Sequence, residues 1–178
     1  GNEHYKLLAY FSTLFNNKTF IDIGTFRGYS ALALSYNKTN KVISYDPHEH
    51  MYQDALWKIP SNVEFKNKNI LNSDEDRNLL LSSPLIFLDA DHHGIFEKAV
   101  NDFLIINDYK GMMLCDDINF DGSAGMNMID WWESIETEEN KKWWNKEIIK
   151  LKKHDLTKYG HGTLFMGKPC GTGLLDYS

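Results

Sequence analysis

The fold is decided by the stretch Phe20-Ile21-Asp22-Ile23-Gly24-Thr25-Phe26-Arg27-Gly28-Tyr29-Ser30-Ala31-Leu32. Residues 19–23 are β-branched or apolar apart from one acid, and residues 29–36 carry apolar side chains at helical spacing. The segment therefore reads as strand, glycine turn and helix. A dinucleotide turn needs glycines in the order G-x-G-x-x-G; Gly24 and Gly28 stand four apart, which disfavours a nicotinamide or flavin pyrophosphate. Gly24 lets the backbone turn sharply and approach a ligand, and Gly28 permits close packing where the helix opens. Asp22, two residues before the turn, can accept a hydrogen bond from an ammonium group.

Outward from this turn the chain alternates. A helix is expected over 4–15, where Leu7, Leu8, Phe11, Leu14 and Phe15 share a face. Strands are expected over 41–45, 63–67, 85–88 and 111–115, with helices over 51–58, 73–81 and 95–106 between them. Strands separated by helices require parallel crossovers and thus helices on both faces of a sheet. After Asp117 a loop at 119–125 leads into a Trp-rich helical region ending near 150. Runs at 151–159 and 162–166, joined by Gly160 and His161, suit an antiparallel hairpin. The expectation is one domain over 1–178: a Rossmann-like, doubly wound α/β sheet of seven strands, mostly parallel with a C-terminal antiparallel hairpin.

Composition narrows the function. The 178 residues are 42% hydrophobic and 25% charged, which excludes a disordered tail, a collagen-like rod and a disulfide scaffold. A net charge of −6 repels phosphate backbones, so nucleic acid is not expected as a partner. The arginines are Arg27 and Arg77 alone, leaving few bidentate forks for phosphate. Cys115 and Cys170 fit neither a zinc site nor a disulfide framework and read as inert thiols. No apolar run approaches the roughly 20 residues of a membrane span, so no membrane is expected and the cytoplasm is the simplest compartment. Gly1 stands where a starting Met would, which leaves an upstream targeting segment open.

Ligands of open parallel sheets bind beyond the carboxyl ends of the strands. Asp46 ends the second strand, where a carboxylate can accept from vicinal ribose hydroxyls; the alternative is an acid that starts a turn before Pro47. Asn69 and Ile70 follow the third strand, where the edge and face of an adenine would lie, or else form a plain loop.

Residues 21–34, IDIGTFRGYSALAL, with Asp46 and the later strand ends, resemble the class I S-adenosylmethionine-dependent methyltransferases, particularly the O-methyltransferase branch. The resemblance runs over residues 20–118, more than half of the chain. It implies S-adenosylmethionine as cofactor, with Asp22, Gly24, Thr25, Gly28 and Ser30 around its methionine moiety and Asp46 on its ribose. Asn69, Ile70 and Asp89 complete the implied donor contacts. In metal-dependent members an Asp after strand four and an acidic pair after strand five hold a divalent cation, and Asp89, Asp116 and Asp117 stand there. Asp91-His92 also resembles the branch that methylates sugars on natural products, and the Asp-Asp pair departs from the Asp-Asn of catechol-type enzymes.

Hard oxygen ligands suit a magnesium-like ion. Adjacent strand residues face opposite ways, so Asp116 and Asp117 converge only if the strand has ended at Cys115. In the metal-free alternative Asp89 and Asp117 cap helices or bind substrate directly, and Asp91 reads equally well as N-cap of the helix that follows it. A neutral imidazole suits removal of the acceptor proton, which makes His92 the expected base, with Asp89 beside it and His93 second. His48, His50 and His161 are left as loop contacts. Trp131, Trp132, Trp143 and Trp144 are read either as core or as an acceptor lid or dimer contact. The expected substrate is a small hydroxylated acceptor. The short segment before the first strand leaves the acceptor open or covered by a partner subunit, as in a homo-oligomer. A non-catalytic donor-binding protein, or a relative using the fold for other chemistry, is the alternative.

Overall fold

The computed structural model describes residues 3–48, 59–121, 127–135, 151–157, 164–165, 168–169 and 171–178. Its strands are β1 (Thr19–Ile23), β2 (Lys41–Tyr45), β3 (Val63–Lys66), β4 (Leu85–Leu88), β5 (Met112–Cys115), β6 (Lys152–Asp155), β7 (Leu164–Phe165), β8 (Lys168–Pro169) and β9 (Gly173–Asp176). The helices are α1 (Glu3–Thr13), α2 (Tyr29–Leu34), α3 (Asp74–Ser82), α4 (Ile95–Ile106) and α5 (Met128–Ser134). Seven strands form one mixed sheet in the order β3-β2-β1-β4-β5-β9-β6, and β7 and β8 form a separate pair. This is the expected Rossmann-like sheet. By packing the chain divides into two compact units, residues 2–90 and residues 91–178.

In the first unit β1 pairs in parallel with β2 and β4, and β2 with β3; Asp22 lies opposite Ser44 on one side and Phe87 on the other. All four residues of β4 are buried, as are Phe20, Ile21 and Ile23 of β1, so β4 reads as a continuous apolar run and β1 as one broken by the buried Asp22. Helix α1 ends two residues before the apolar pattern does, and Leu14 is left 52% exposed. The end is set by amides: Asn37 Nδ2 donates to Phe15 O at 2.7 Å and Asn40 Nδ2 to Ser12 O at 2.9 Å, satisfying carbonyls the helix leaves over. Helix α3 begins at Ser73, whose hydroxyl accepts from Asp76 N–H. The Asp76 carboxylate is fully buried and takes Tyr45 Oη at 2.8 Å, Lys66 Nζ at 3.2 Å and Lys68 Nζ at 2.5 Å. Burial alone would raise its pKa, but hydrogen bonds from Lys68, Ser73, Tyr45 and Lys66 outweigh that and hold it well below the carboxylate range.

In the second unit Val100 and Leu104 of α4 are buried, and Asn101 Oδ1 accepts from Tyr177 Oη at 2.7 Å. Helix α5 is capped by Asn127, whose side chain accepts from Asp130 N–H, and ends under Lys153, whose Nζ donates to Trp132 O at 2.9 Å. Trp131 and Trp132 are buried, which for these two favours the core reading. The antiparallel end of the sheet corrects one expectation. The partner of 152–155 is β9, not 162–166, and β9 sits between β5 and β6, antiparallel to both. Residues 164–165 pair with 168–169 instead. The expected helix over 51–58, Trp57, Trp143, Trp144, His50, His161 and Cys170 lie outside the described residues. Cys115 is a buried free thiol whose pKa burial pushes up, as its inert reading requires.

Candidate functional site

The first group of site residues belongs to residues 2–90. Gly24 leaves β1 with φ +102°, and a Cβ built there would lie 1.7 Å from the carbonyl oxygen of Asp89. Only glycine fits, because the turn after β1 is pressed against the backbone that leaves β4. Asp89 N–H donates to Ile23 O at 2.8 Å, and Gly24 N–H to Tyr45 O at 2.9 Å, so the ends of three strands are stitched together at this turn.

Asp22 is fully buried beneath it. Its Oδ2 accepts from Ser44 Oγ, which in turn lies 2.6 Å from Thr25 Oγ1. When Asp22 is ionised the Ser44 proton is committed to its carboxylate and Thr25 is the donor to Ser44, giving a chain Thr25, Ser44, Asp22. Oδ1 of Asp22 is buried without a hydrogen-bond partner among the described residues. Burial pushes the Asp22 pKa up to about 7; the hydroxyls of Ser44 and nearby Ser30 work against this, and the charges of Asp89 and Asp46 reinforce it.

Asp46 is buried at the end of β2, and two backbone groups orient its carboxylate: Phe26 N–H donates to Oδ2 at 3.2 Å and His48 N–H to Oδ1 at 2.8 Å. Each oxygen keeps a second lone pair for a ligand. Phe26 makes its bond with φ 38° and a 57% exposed side chain. His48 thus acts through its backbone. Asn69 caps a short helical turn over Ile70–Asn72, its side chain accepting from Leu71 N–H at 2.8 Å, and Ile70 is wholly buried. Ile70 has no exposed face to offer a base.

The second group belongs to residues 91–178. Strand β5 ends at Cys115, as convergence of Asp116 and Asp117 requires, and the two carboxylates have different partners. Asp116 Oδ1 accepts from Thr172 Oγ1 at 3.0 Å, whereas Asp117 Oδ2 lies 3.0 Å from His92 Nε2. Both members of the latter pair occupy the left-handed region, with φ 58° at His92 and 54° at Asp117, a conformation costing roughly 1–2 kcal/mol per residue. Such strain persists only where the surroundings impose it. Phe120 packs edge-on against the His92 ring, with centroids 5.9 Å apart.

His93 is exposed, and so is Asp91. Asp91 does not cap α4. The N-cap is Gly94 at φ 77°, and a Cβ there would meet Asn127 O at 2.8 Å and Trp131 Cβ at 2.9 Å. Among the groups the sequence reading missed is Ser44. Its place opposite Asp22 in the β1–β2 register was the available signal.

The same architecture occurs in solved enzymes. An O-methyltransferase from Bacillus cereus, in complex with S-adenosylhomocysteine, matches with a TM-score of 0.68 at 14% identity over 100% of this chain and 82% of that one. The O-methyltransferase TomG from Streptomyces achromogenes, involved in tomaymycin synthesis and in complex with S-adenosylmethionine, matches with a TM-score of 0.64 at 14% identity over 100% and 81%. The chain has the fold of an O-methyltransferase. No family model and no curated protein matches the sequence. At this identity the likeness carries the architecture, and the glycine turn, Asp22 and Asp46 of this O-methyltransferase fold lie at the carboxyl ends of β1 and β2.

Proposed function

We propose that the chain is an S-adenosylmethionine-dependent O-methyltransferase that acts on a small hydroxylated acceptor with help from a divalent cation. The observation that carries the reading is Asp22: a buried carboxylate with one unpartnered oxygen, under a turn that admits only glycine. An ammonium group fits that oxygen, because it supplies both the missing donor and the charge that burial penalises. The two solved neighbours, bound to S-adenosylhomocysteine and S-adenosylmethionine, support the same ligand.

The bound donor supplies a methyl group on a sulfonium, which passes in line to the acceptor oxygen while the sulfur keeps the electron pair of the broken bond. Asp22 faces the amino group, Gly24 and Gly28 keep the turn free of side chains, and Thr25 and Ser30 line it. The second lone pairs of Asp46 take the ribose hydroxyls. His92 removes the acceptor proton. With Nε2–H donated to Asp117, the basic lone pair is that of Nδ1, and Asp117 stabilises the imidazolium that forms.

Asp89, Asp116 and Asp117 are the proposed ligands of the cation, which would orient the acceptor hydroxyl and acidify it. The donor set is compatible: all three are carboxylates, the hard oxygen ligands a magnesium-like ion takes, and Asp117 is partly exposed.

Calorimetric titration with S-adenosylmethionine tests the donor site. Replacement Asp46→Ala should weaken binding by about 1.5 kcal/mol or more, the loss of hydrogen bonds to a charged acceptor. Unchanged affinity removes Asp46 from the site, and preferential binding of NAD defeats the assignment.

A further inference from the structure

Glu97 lies on the first turn of α4 and is almost wholly buried, an unusual place for an acid. Its Oε1 accepts from the backbone N–H of His92 at 2.9 Å, and its Oε2 is buried without a hydrogen-bond partner among the described residues. The recipient of this bond is the residue whose φ of 58° an L-amino acid rarely adopts and whose ring meets Asp117. The segment between is short and clamped, since Gly94 is pressed against Asn127 and Trp131. Glu97, from the helix that follows, thus holds the main chain of His92, while Asp117, from beyond β5, meets its ring.

We infer that Glu97 is a positioning residue for His92, fixing the left-handed backbone that carries the imidazole to Asp117. The role rests on the proposed use of His92 toward the acceptor, but the geometry that Glu97 imposes exists without donor or acceptor. An exposed glutamate on a first helical turn would be explained by the helix dipole alone. This one is buried and spends its bonded oxygen on a residue outside the helix. A backbone N–H needs only an acceptor, so the amide oxygen introduced by Glu97→Gln would serve, whereas the methyl left by Glu97→Ala would not.

The test is NMR of the whole chain with ring-labelled histidines in mildly alkaline buffer. The His92 resonance among the seven histidines is assigned by its disappearance in His92→Asn. In the unmodified chain the His92 ring should hold one tautomer, protonated at Nε2, and a through-hydrogen-bond coupling should link the His92 amide nitrogen to the Glu97 carboxyl carbon. Glu97→Ala should release the tautomer to the mixture seen for exposed histidines and leave the other assigned histidines in place. Glu97→Gln should restore the single tautomer. With an acceptor in hand, Glu97→Ala should lower kcat at least tenfold with KM for S-adenosylmethionine unchanged, and Glu97→Gln should recover most of it. An unchanged His92 tautomer in Glu97→Ala, or the same loss in Glu97→Gln as in Glu97→Ala, overturns the inference. Should Glu97→Ala fail to fold, the coupling in the unmodified chain decides, and its absence is fatal. A chain that gives these signals but transfers no methyl counts against the proposed function and leaves the positioning role standing.

Discussion

Replacement of Gly24 by Ala puts a number on how tightly the turn after β1 is built. The backbone there has φ +102°, outside the left-handed well, so an L side chain carries a conformational cost of order 1–3 kcal/mol. The added Cβ would also sit 1.7 Å from Asp89 O and 2.6 Å from the carbonyl carbon, so one strand end must retreat by more than an ångström. That movement breaks the bond from Asp89 N–H to Ile23 O, worth about 1 kcal/mol. Together the terms reach about 2–4 kcal/mol, a large share of the ~5–15 kcal/mol that holds a domain folded. With a urea m-value of about 2 kcal/mol/M, the midpoint should fall by about 1–2 M. Gly28→Ala is the control. Gly28 has φ 75° and ψ 11°, close to the left-handed well, and its substitution should cost only about 1–2 kcal/mol. The reasoning fails if the two variants shift the midpoint equally, or if Gly24→Ala unfolds within about 0.3 M of the parent at unchanged m.

Asp22 has a folded pKa of about 7 against 3.8 in a free carboxylate, so its contribution to stability is complete below pH 3.8 and is lost as pH rises through about 7. Asp22→Asn should flatten that slope in urea titrations at a series of pH values; an unaltered slope would mean that Asp22 is not the group responsible. Because an ammonium ligand favours the ionised acid, affinity for S-adenosylmethionine should rise as pH is brought up through about 7, and a fall over that range would contradict the proposed contact. His92→Ala should lower kcat by roughly 10²–10⁴ with donor affinity intact and partial recovery at high pH, while His93→Ala changes little; reversed effects would exchange the two roles. Turnover should stop in excess chelator and return with added magnesium or manganese. Full activity under chelation, with no metal detected by elemental analysis, would leave His92 and Asp117 as a metal-free pair.

The strands that place the donor residues were legible because each is a mainly apolar or β-branched run closed by an acid or a glycine. Those over 19–23, 41–45 and 85–88 are found where the pattern puts them. The strand Gly173–Asp176 was not, since Gly-Leu-Leu-Asp is short, lacks β-branched residues and begins with a strand-weakening glycine. Long-range pairing gives it a place that local propensity does not. At the site, Asp22, Gly24 and Asp46 stood out by type and spacing. The partners that tune them did not, because Ser44 meets Asp22 across strands and Thr172 meets Asp116 over 56 residues of sequence. Asp91 misled for a related reason: an acid ahead of a helix suggests a cap, but the turn at Gly94 takes over that position.

The insertion of β9 between β5 and β6 bears on the order in which the chain is made. Ribosomal synthesis delivers β5 and β6 first, and neither has its in-sheet partner on that side until residues 173–176 emerge. A nascent chain halted before Gly173 would carry two unsatisfied strand edges, each a template for pairing with another molecule. Closure of this part of the sheet therefore waits for residues 173–176 and has high contact order, slower than the more local pairing of β1 and β2. The same step brings the hydroxyl of Tyr177, directly after β9, to Asn101.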